Sequence, residues 1–497
     1  MQTESETSTD TGTGTIYRSA ALAVALTWAL RLIGLVSALV LARLLSPRDF
    51  GIIAIAAAVV ALVDMLGALG LRQALLRIAQ PERAHLDTAW TIQVVSMTLL
   101  GGVLLVLAAP VGAFFARPEL PPVIALLSLS FVFYGLENVG IVEFDRSFQF
   151  GRDLRMRLTV RLLGLAGTVT AALLLRSYWA LAIGMVLTAA LHAAASYLFH
   201  PYRPRLSLAK RSELLVVSGW MFLAYAMQVV QHQSERLILG RVASPSMLGF
   251  YAFSKDLASI FTMELATALN RVTFVSTARR EGALDTAPER PALLLGAYAM
   301  IAAPFGLGLA AVAEPALAVL FGHQWLGAAP FLRLIAPASA CYAVHALVIS
   351  TLQAGGLARG AALLSSGGAV TMAGGLAAAG AAGQDAPTLA AVALAVNVAL
   401  LLVGALVLAR IARARLVPLL AAIARPFAAA AAMYALVGMA SPVSGSAAID
   451  LVASAALGAF AYPLFTLAIW GVLGRPAGAE RAVLDQVQRF ARSSRGT

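Results

Sequence analysis

Charge is what this chain of 497 residues has least of: Asp, Glu, Lys and Arg together make up 12% of it, against 60% hydrophobic residues. A soluble domain carries roughly 25% charged residues to cover its surface, so composition excludes a soluble globular fold. Cysteine is nearly absent. Cys341 stands alone in an apolar run, which excludes an internal disulfide and a multi-cysteine metal site. Also missing is any polar segment between apolar runs that is long enough to fold as a catalytic domain. No Walker A loop, metal-ligand cluster or Ser-His-Asp arrangement can be placed, so neither an enzyme nor a cofactor is expected.

What fills the chain instead is a succession of apolar stretches of roughly 20 residues, the length a helix needs to cross a bilayer. The strict alternation of membrane barrel strands does not occur. About fourteen such stretches can be counted, the first at 19–43, the seventh and eighth at 213–239 and 249–270, the last two at 426–441 and 450–473. The chain is therefore expected to be an all-α polytopic membrane protein. Its expected parts are a disordered cytoplasmic tail (1–17), two six-helix lobes (18–205 and 206–415), two additional helices (416–474) and a basic cytoplasmic tail (475–497).

The net charge of +12 suggests nucleic acid only until it is mapped. With the N-terminus placed in the cytoplasm, inner loops carry about five times as many Lys and Arg as outer loops, the bias that orients helices in a bacterial inner membrane. No nucleic-acid partner is expected, and both termini are expected in the cytoplasm.

The lobes are expected to be copies of one another. Arg43, Ser46, Pro47 and Gly51 recur as Arg241, Ser244, Pro245 and Gly249, all at an offset of 198 residues. In each case a Ser-Pro turn joins two long apolar segments, so each copy is a helical hairpin. An even number of helices between the copies makes both cross in the same sense, as in parallel-repeat transporters.

Ala42-Arg43-Leu44-Leu45-Ser46-Pro47, with Phe50-Gly51, and its copy around Ser244-Pro245 and Gly249-Phe250-Tyr251 resemble bacterial polysaccharide flippases of the Wzx type. These belong to the superfamily of multidrug, oligosaccharidyl-lipid and polysaccharide exporters. Leu320-Phe321-Gly322-His323-Gln324-Trp325 and Ala329-Pro330-Phe331-Leu332-Arg333 resemble that family's connection between its ninth and tenth helices. Where the family usually has Asp in its seventh helix, this chain has Glu235, which keeps the charge. The resemblance implies translocation of an undecaprenyl-pyrophosphate-linked oligosaccharide across the inner membrane by alternating access, for surface polysaccharide synthesis. A glycan polymerase and an export complex are the implied protein partners, and the bilayer itself is the medium. A cation-coupled multidrug exporter is the alternative within the superfamily. A membrane glycan polymerase or glycosyltransferase is the alternative from another class.

A charge at the bilayer centre costs roughly 2.5–3.5 kcal/mol on insertion scales, so each one needs a partner, a cavity or a function. Arg31 and Asp64 are equidistant from the Ser46-Pro47 turn and should lie at one depth. Glu235 and Arg236 are likewise level with Lys255 and Asp256 across the second turn. Gln228, Gln231, His232 and Glu235 fall on one helical face, a stripe suited to a wet cavity, and Glu264 follows Asp256 near the same face of the next helix. Under the resemblance, Arg31, Arg236, Lys255 and Arg333 are the candidates to hold pyrophosphate, with Gln228, Gln231 and His232 beside them. Asp64, Glu235, Asp256 and Glu264 are candidates for a coupling proton or cation. The competing reading of all these charges is that they are ion pairs fixing helix register.

Overall fold

The computed structural model describes residue 30 and residues 32–67, 70–78, 80–147, 149–214, 219–278, 290–440, 446–476, 478–481 and 484–485. The N-terminal tail 1–17, Arg31 and residues 486–497 of the basic tail lie outside the described residues. Two compact units follow one another, Met1–Ser218 and Gly219–Thr497. Among the described residues both are built from helices and their connections.

The first unit holds α1 (Leu32–Leu44), α2 (Pro47–Asp64), α3 (Arg83–Phe115), α4 (Leu120–Leu136), α5 (Phe150–Leu175) and α6 (Trp179–Phe199). The Ser46-Pro47 turn is a helix start. Ser46 caps α2 by accepting from the Asp49 N–H, while the Asp49 carboxylate accepts from the Ser46 N–H at 2.9 Å. Pro47 costs nothing there, because a first-turn N–H has no intrahelical partner. Asp49 also accepts from the Tyr178 N–H at 2.8 Å, which ties the turn to the start of α6.

The second unit holds α7 (Gly219–Val242), α8 (Pro245–Ala278), α9 (Arg290–Ala311), α10 (Ala329–Ala354), α11 (Ala358–Ala381), α12 (Ala386–Ile411), α13 (Leu416–Met439) and α14 (Ala447–Val472). Its Ser-Pro turn is built in the same way, with the Ser244 hydroxyl accepting from the Met247 N–H at 3.3 Å. Met247 stands where Asp49 does in the first copy, so the reciprocal half of the cap is lost.

The repeat extends to packing. In the first unit α3 lies on α4, α4 on α6, α5 on α6, and α2 on both α3 and α4. Leu41 of α1 and Leu45 just after it cluster with Ala172 of α5. In the second unit α9 lies on α10, α10 on α12, α11 on α12, α8 on both α9 and α10, and α7 along α11. Each pairing is the first unit's moved on by six helices. α10 is the centre of the second unit, with Ala340, Val344, Leu347 and Val348 in its core beside α9, α12 and α13. Trp325, fully enclosed, stacks on Phe253 with ring centroids 4.0 Å apart and pins the α9–α10 connection to α8.

Ten helices among the described residues are long and apolar enough to span a membrane, fewer than the fourteen expected. The described part of α1 is short, and α4 has 17 residues. α7 and α8 are long enough but carry the polar and charged stripe, which dilutes their hydropathy. α13 begins ten residues before the expected start at 426. Arg425, which looks like a boundary in sequence, is buried there against Glu480 at 2.9 Å. α13 packs along α9 and against α14, within the second unit. Where a continuous ninth helix to residue 320 is expected, α9 stops at Ala311 and a short helix, Ala313–Ala316, follows.

α9 and α10 touch most closely at Gly306, where a Cβ would lie 2.7 Å from the Ala340 Cβ and 2.8 Å from the Ala336 carbonyl oxygen. A backbone carbonyl inside a helix cannot swing aside. Gly306→Ala should therefore cost about 1–3 kcal/mol by overpacking. Gly308→Ala, where the nearest neighbour is the flexible Met433 Cε at 3.6 Å, should be neutral or slightly stabilising. Thermal unfolding of the two purified variants checks the contrast.

Candidate functional site

The second hairpin brings the α7 stripe against α8. Gln231, His232 and Glu235 are spaced to share a face of α7, and Tyr251, Lys255 and Ser259 are spaced by four along α8. These six residues, with Tyr342 of α10 and Asn397 of α12 among others, line a cavity of about 40 Å³. A cavity measured this way needs roughly 10–15 Å³ to hold one water, so this one admits a few waters or a small ion. Pockets for drug-sized ligands are roughly 300–1,000 Å³.

At its heart is a buried ion pair. Lys255 Nζ lies 2.7 Å from Glu235 Oε2, with the two side chains only 11% and 8% exposed. The same carboxylate oxygen accepts from the Tyr251 hydroxyl at 2.5 Å. The ammonium donates a further hydrogen bond, of 3.0 Å, to the His232 main-chain carbonyl. The His232 ring packs edge-on against Tyr342, centroids 4.5 Å apart. One step along each helix, Arg236 pairs with Asp256, whose side chain is 66% exposed. The two ion pairs therefore differ in environment: both partners of the first are buried, whereas in the second Arg236 is 15% exposed and Asp256 66%.

The structure brings together Gln231, His232, Glu235 and Lys255 in the cavity and places Arg236 and Asp256 beside it. Gln228 is elsewhere: its amide turns back to the Ala224 carbonyl of its own helix at 3.1 Å. Arg333 pairs with Glu314 at 2.9 Å, with both side chains about half exposed. Neither lines this cavity. Asp64 is partly buried near the end of α2, and its expected partner Arg31 lies outside the described residues. Glu264 falls on α8, and its side chain also lies outside the described residues.

Sequence reasoning missed Tyr251, Tyr342 and Asn397. Tyr251 had a signal, because it precedes Lys255 by four residues and must share its face. Asn397 had one too, as the lone amide in the otherwise apolar α12, a helix in which a polar side chain needs a reason. Tyr342 had none, since an aromatic residue is unremarked in a buried helix.

Residues 40–330 match the family described as "Polysaccharide biosynthesis protein". The chain is 28% identical over 302 residues to the succinoglycan biosynthesis transport protein ExoT of Rhizobium meliloti, spanning 60% of each chain. It is 24% identical over 313 residues to the lipopolysaccharide biosynthesis protein WzxC of Escherichia coli, spanning 61% of this chain and 62% of that one. The match thus spans less than two thirds of either relative. Among solved structures, the fold is similar to that of the lipid II flippase MurJ in an inward closed conformation. The TM-score is 0.69 at 12% identity, covering 91% of this chain and 99% of that one. It is also similar to an inward-facing MATE family multidrug resistance transporter of the MOP superfamily, with TM-score 0.58 at 14% identity, covering 77% and 94%.

The two ion pairs should separate in stability. Glu235→Ala strands a buried ammonium and should cost about 3–5 kcal/mol, whereas Glu235→Ala combined with Lys255→Met should recover most of the loss. Asp256→Ala removes a largely exposed carboxylate from an Arg236 side chain that is itself 15% exposed, and should cost less than Glu235→Ala. Denaturation midpoints of the three proteins in detergent check the order.

Proposed function

The chain belongs to the polysaccharide biosynthesis protein family, and on that premise we propose that it is a lipid-linked oligosaccharide flippase. It carries undecaprenyl-pyrophosphate-linked glycan repeat units from the inner to the outer leaflet of the bacterial inner membrane by alternating access. The product feeds surface polysaccharide synthesis, and the protein works beside a glycan polymerase and an export complex. Its termini face the cytoplasm, in keeping with the Lys and Arg bias of its loops.

The observation that carries this reading is the Glu235–Lys255–Tyr251 cluster buried inside a multi-pass helical protein of transporter fold. A bundle built only for stability gains little from such a cluster. Replacing a buried ion pair by apolar side chains is often neutral or stabilising, and intramembrane charges mark transport pathways and relays. The succinoglycan and lipopolysaccharide names of the relatives supply the class of cargo.

The geometry also divides the labour. The cavity beside Glu235 and Lys255 is about 40 Å³ in this conformation, smaller than a sugar or a pyrophosphate, which supports a part in the transport cycle for this pair over direct holding of the cargo. Arg236 is the best placed of the described cations to meet pyrophosphate. Its ion-pair partner among the described residues, Asp256, is exposed and can be displaced by a ligand of higher charge. A guanidinium is also suited to bidentate phosphate binding.

Deleting the gene should abolish one surface polysaccharide, with its lipid-linked repeat unit accumulating on the cytoplasmic leaflet and drug sensitivity unchanged. Drug hypersensitivity with normal polysaccharide would indicate the multidrug exporter instead. Arg236→Ala should reduce polymer export at least about tenfold, equivalent to losing about 1.4 kcal/mol of binding, at unchanged membrane abundance. Immunoblots and surface-glycan quantification read both quantities.

A further inference from the structure

The cavity beside Glu235 raises a question that its lining answers: which ion can change its charge. The ligands around the Lys255 ammonium are a carboxylate oxygen at 2.7 Å and a main-chain carbonyl oxygen at 3.0 Å. Carboxylate and carbonyl oxygens are also what a hard metal cation selects. The Tyr251 hydroxyl oxygen is 2.5 Å from that carboxylate, and Asn397 and Ser259 add polar groups to the lining. This is an oxygen-lined seat for one positive charge, and a side chain of the protein already holds it. Among the described residues no group of three or more His, Cys, Asp or Glu offers a metal another seat.

We propose that Lys255 is a tethered counter-cation whose ammonium takes the place of a sodium ion at Glu235, so that metal cations are excluded from this cavity and only a proton can change its charge. The inference rests on the reading that the protein is a transporter with a coupling step, and it assigns the specificity of that step to one residue. A sodium ion entering beside Lys255 would face a like charge in a medium far less screening than water. The charges already balance, Glu235 against Lys255, so a metal ion would bring an unmatched one. A proton needs no seat of its own. Taken from water, it adds to the Glu235 carboxylate and moves the pair from neutral to singly positive, with no other covalent bond changed. The groups that face Glu235 are Tyr251 and Lys255 of α8, His232 and Arg236 of α7, and Tyr342 of α10, while α12 brings the uncharged Asn397. Asp256 of α8 is the other carboxylate beside the pair, and Arg236 takes it up in an ion pair, so Glu235 is the carboxylate that faces the cavity.

The proposal has a gain-of-function test. Full-length protein in lipid nanodiscs is melted in sodium chloride and in choline chloride at equal ionic strength. Wild type should melt at the same temperature in both. Lys255→Ala leaves a buried carboxylate without its cation, and sodium should raise its melting temperature by a few degrees over choline, as a ligand binding the native state does. Adding Glu235→Gln should abolish that rise. If Lys255→Ala does not fold, Lys255→Ser, with a hydroxyl facing the same oxygens, is measured in its place. Sodium-selective stabilisation of wild type overturns the proposal, as does a folded Lys255 variant indifferent to sodium. The readout needs no glycan, so a failed transport reading would appear in the export assay and leave this result standing.

Discussion

A charge enclosed by apolar helices has to find its opposite inside the bundle, because neither lipid nor a neighbouring Leu can solvate it. In the second unit that requirement is met within one hairpin. The Ser244-Pro245 start of α8 fixes where the chain turns, which brings positions 235 and 236 to the depth of positions 255 and 256 on the facing helix. Glu235 then meets Lys255, and Arg236 meets Asp256 one step further along. The turn that marks the internal repeat is thus also what sets the register of the ion pairs. A residue inserted on either arm would rotate like charges together.

Depth was legible in the sequence and facing was not. Equal distance from a turn places Glu235 opposite Asp256 and Arg236 opposite Lys255, pairs of like charge. Neighbouring residues on a helix point about 100° apart, since a turn takes 3.6 residues, and only the rotation of α7 against α8 decides which of them meet. The stripe at 228, 231, 232 and 235 was legible by the same periodicity, and three of its four members line the cavity. Gln228 defects because an amide near the preceding carbonyls can satisfy itself locally, an option no periodicity argument sees. Arg333, expected as a candidate to hold pyrophosphate, has an ion-pair partner that a continuous ninth helix would not have pointed to. The break after Ala311 puts Glu314 on a separate short helix beside it.

The packing repeat was legible only through its turns. Nothing in the apolar runs of the two units spells out that α4 and α10 are equivalent, yet the main neighbours of α4, which are α2, α3 and α6, recur around α10 as α8, α9 and α12. Sequence identity in membrane helices is carried by the positions that cannot be exchanged, caps and close contacts above all, while the lipid-facing surface accepts any apolar side chain. Span counting fails for a related reason. α7 and α8 fall short of the hydropathy of a spanning helix because they carry the polar and charged residues of the candidate site, so the helices that hold it look least like membrane helices.

The adjacency of the two ion pairs also bears on how a proton and a cargo communicate. Glu235 and Arg236 are consecutive residues, and Lys255 and Asp256 are consecutive residues, so one rigid-body shift of α7 on α8 must alter both pairs together. The inner pair is buried, where a change of one charge is weakly screened and expensive to leave unanswered. The outer pair is open on one side: the Asp256 side chain is 66% exposed and that of Arg236 15%. Under the proposed function, a proton on Glu235 would weaken the hold of α7 on α8 from the inside, and a pyrophosphate on Arg236 would loosen the same contact from the outside. Both events would then draw on one helix–helix interface, and coupling would need no longer path than the single peptide bond between the two residues.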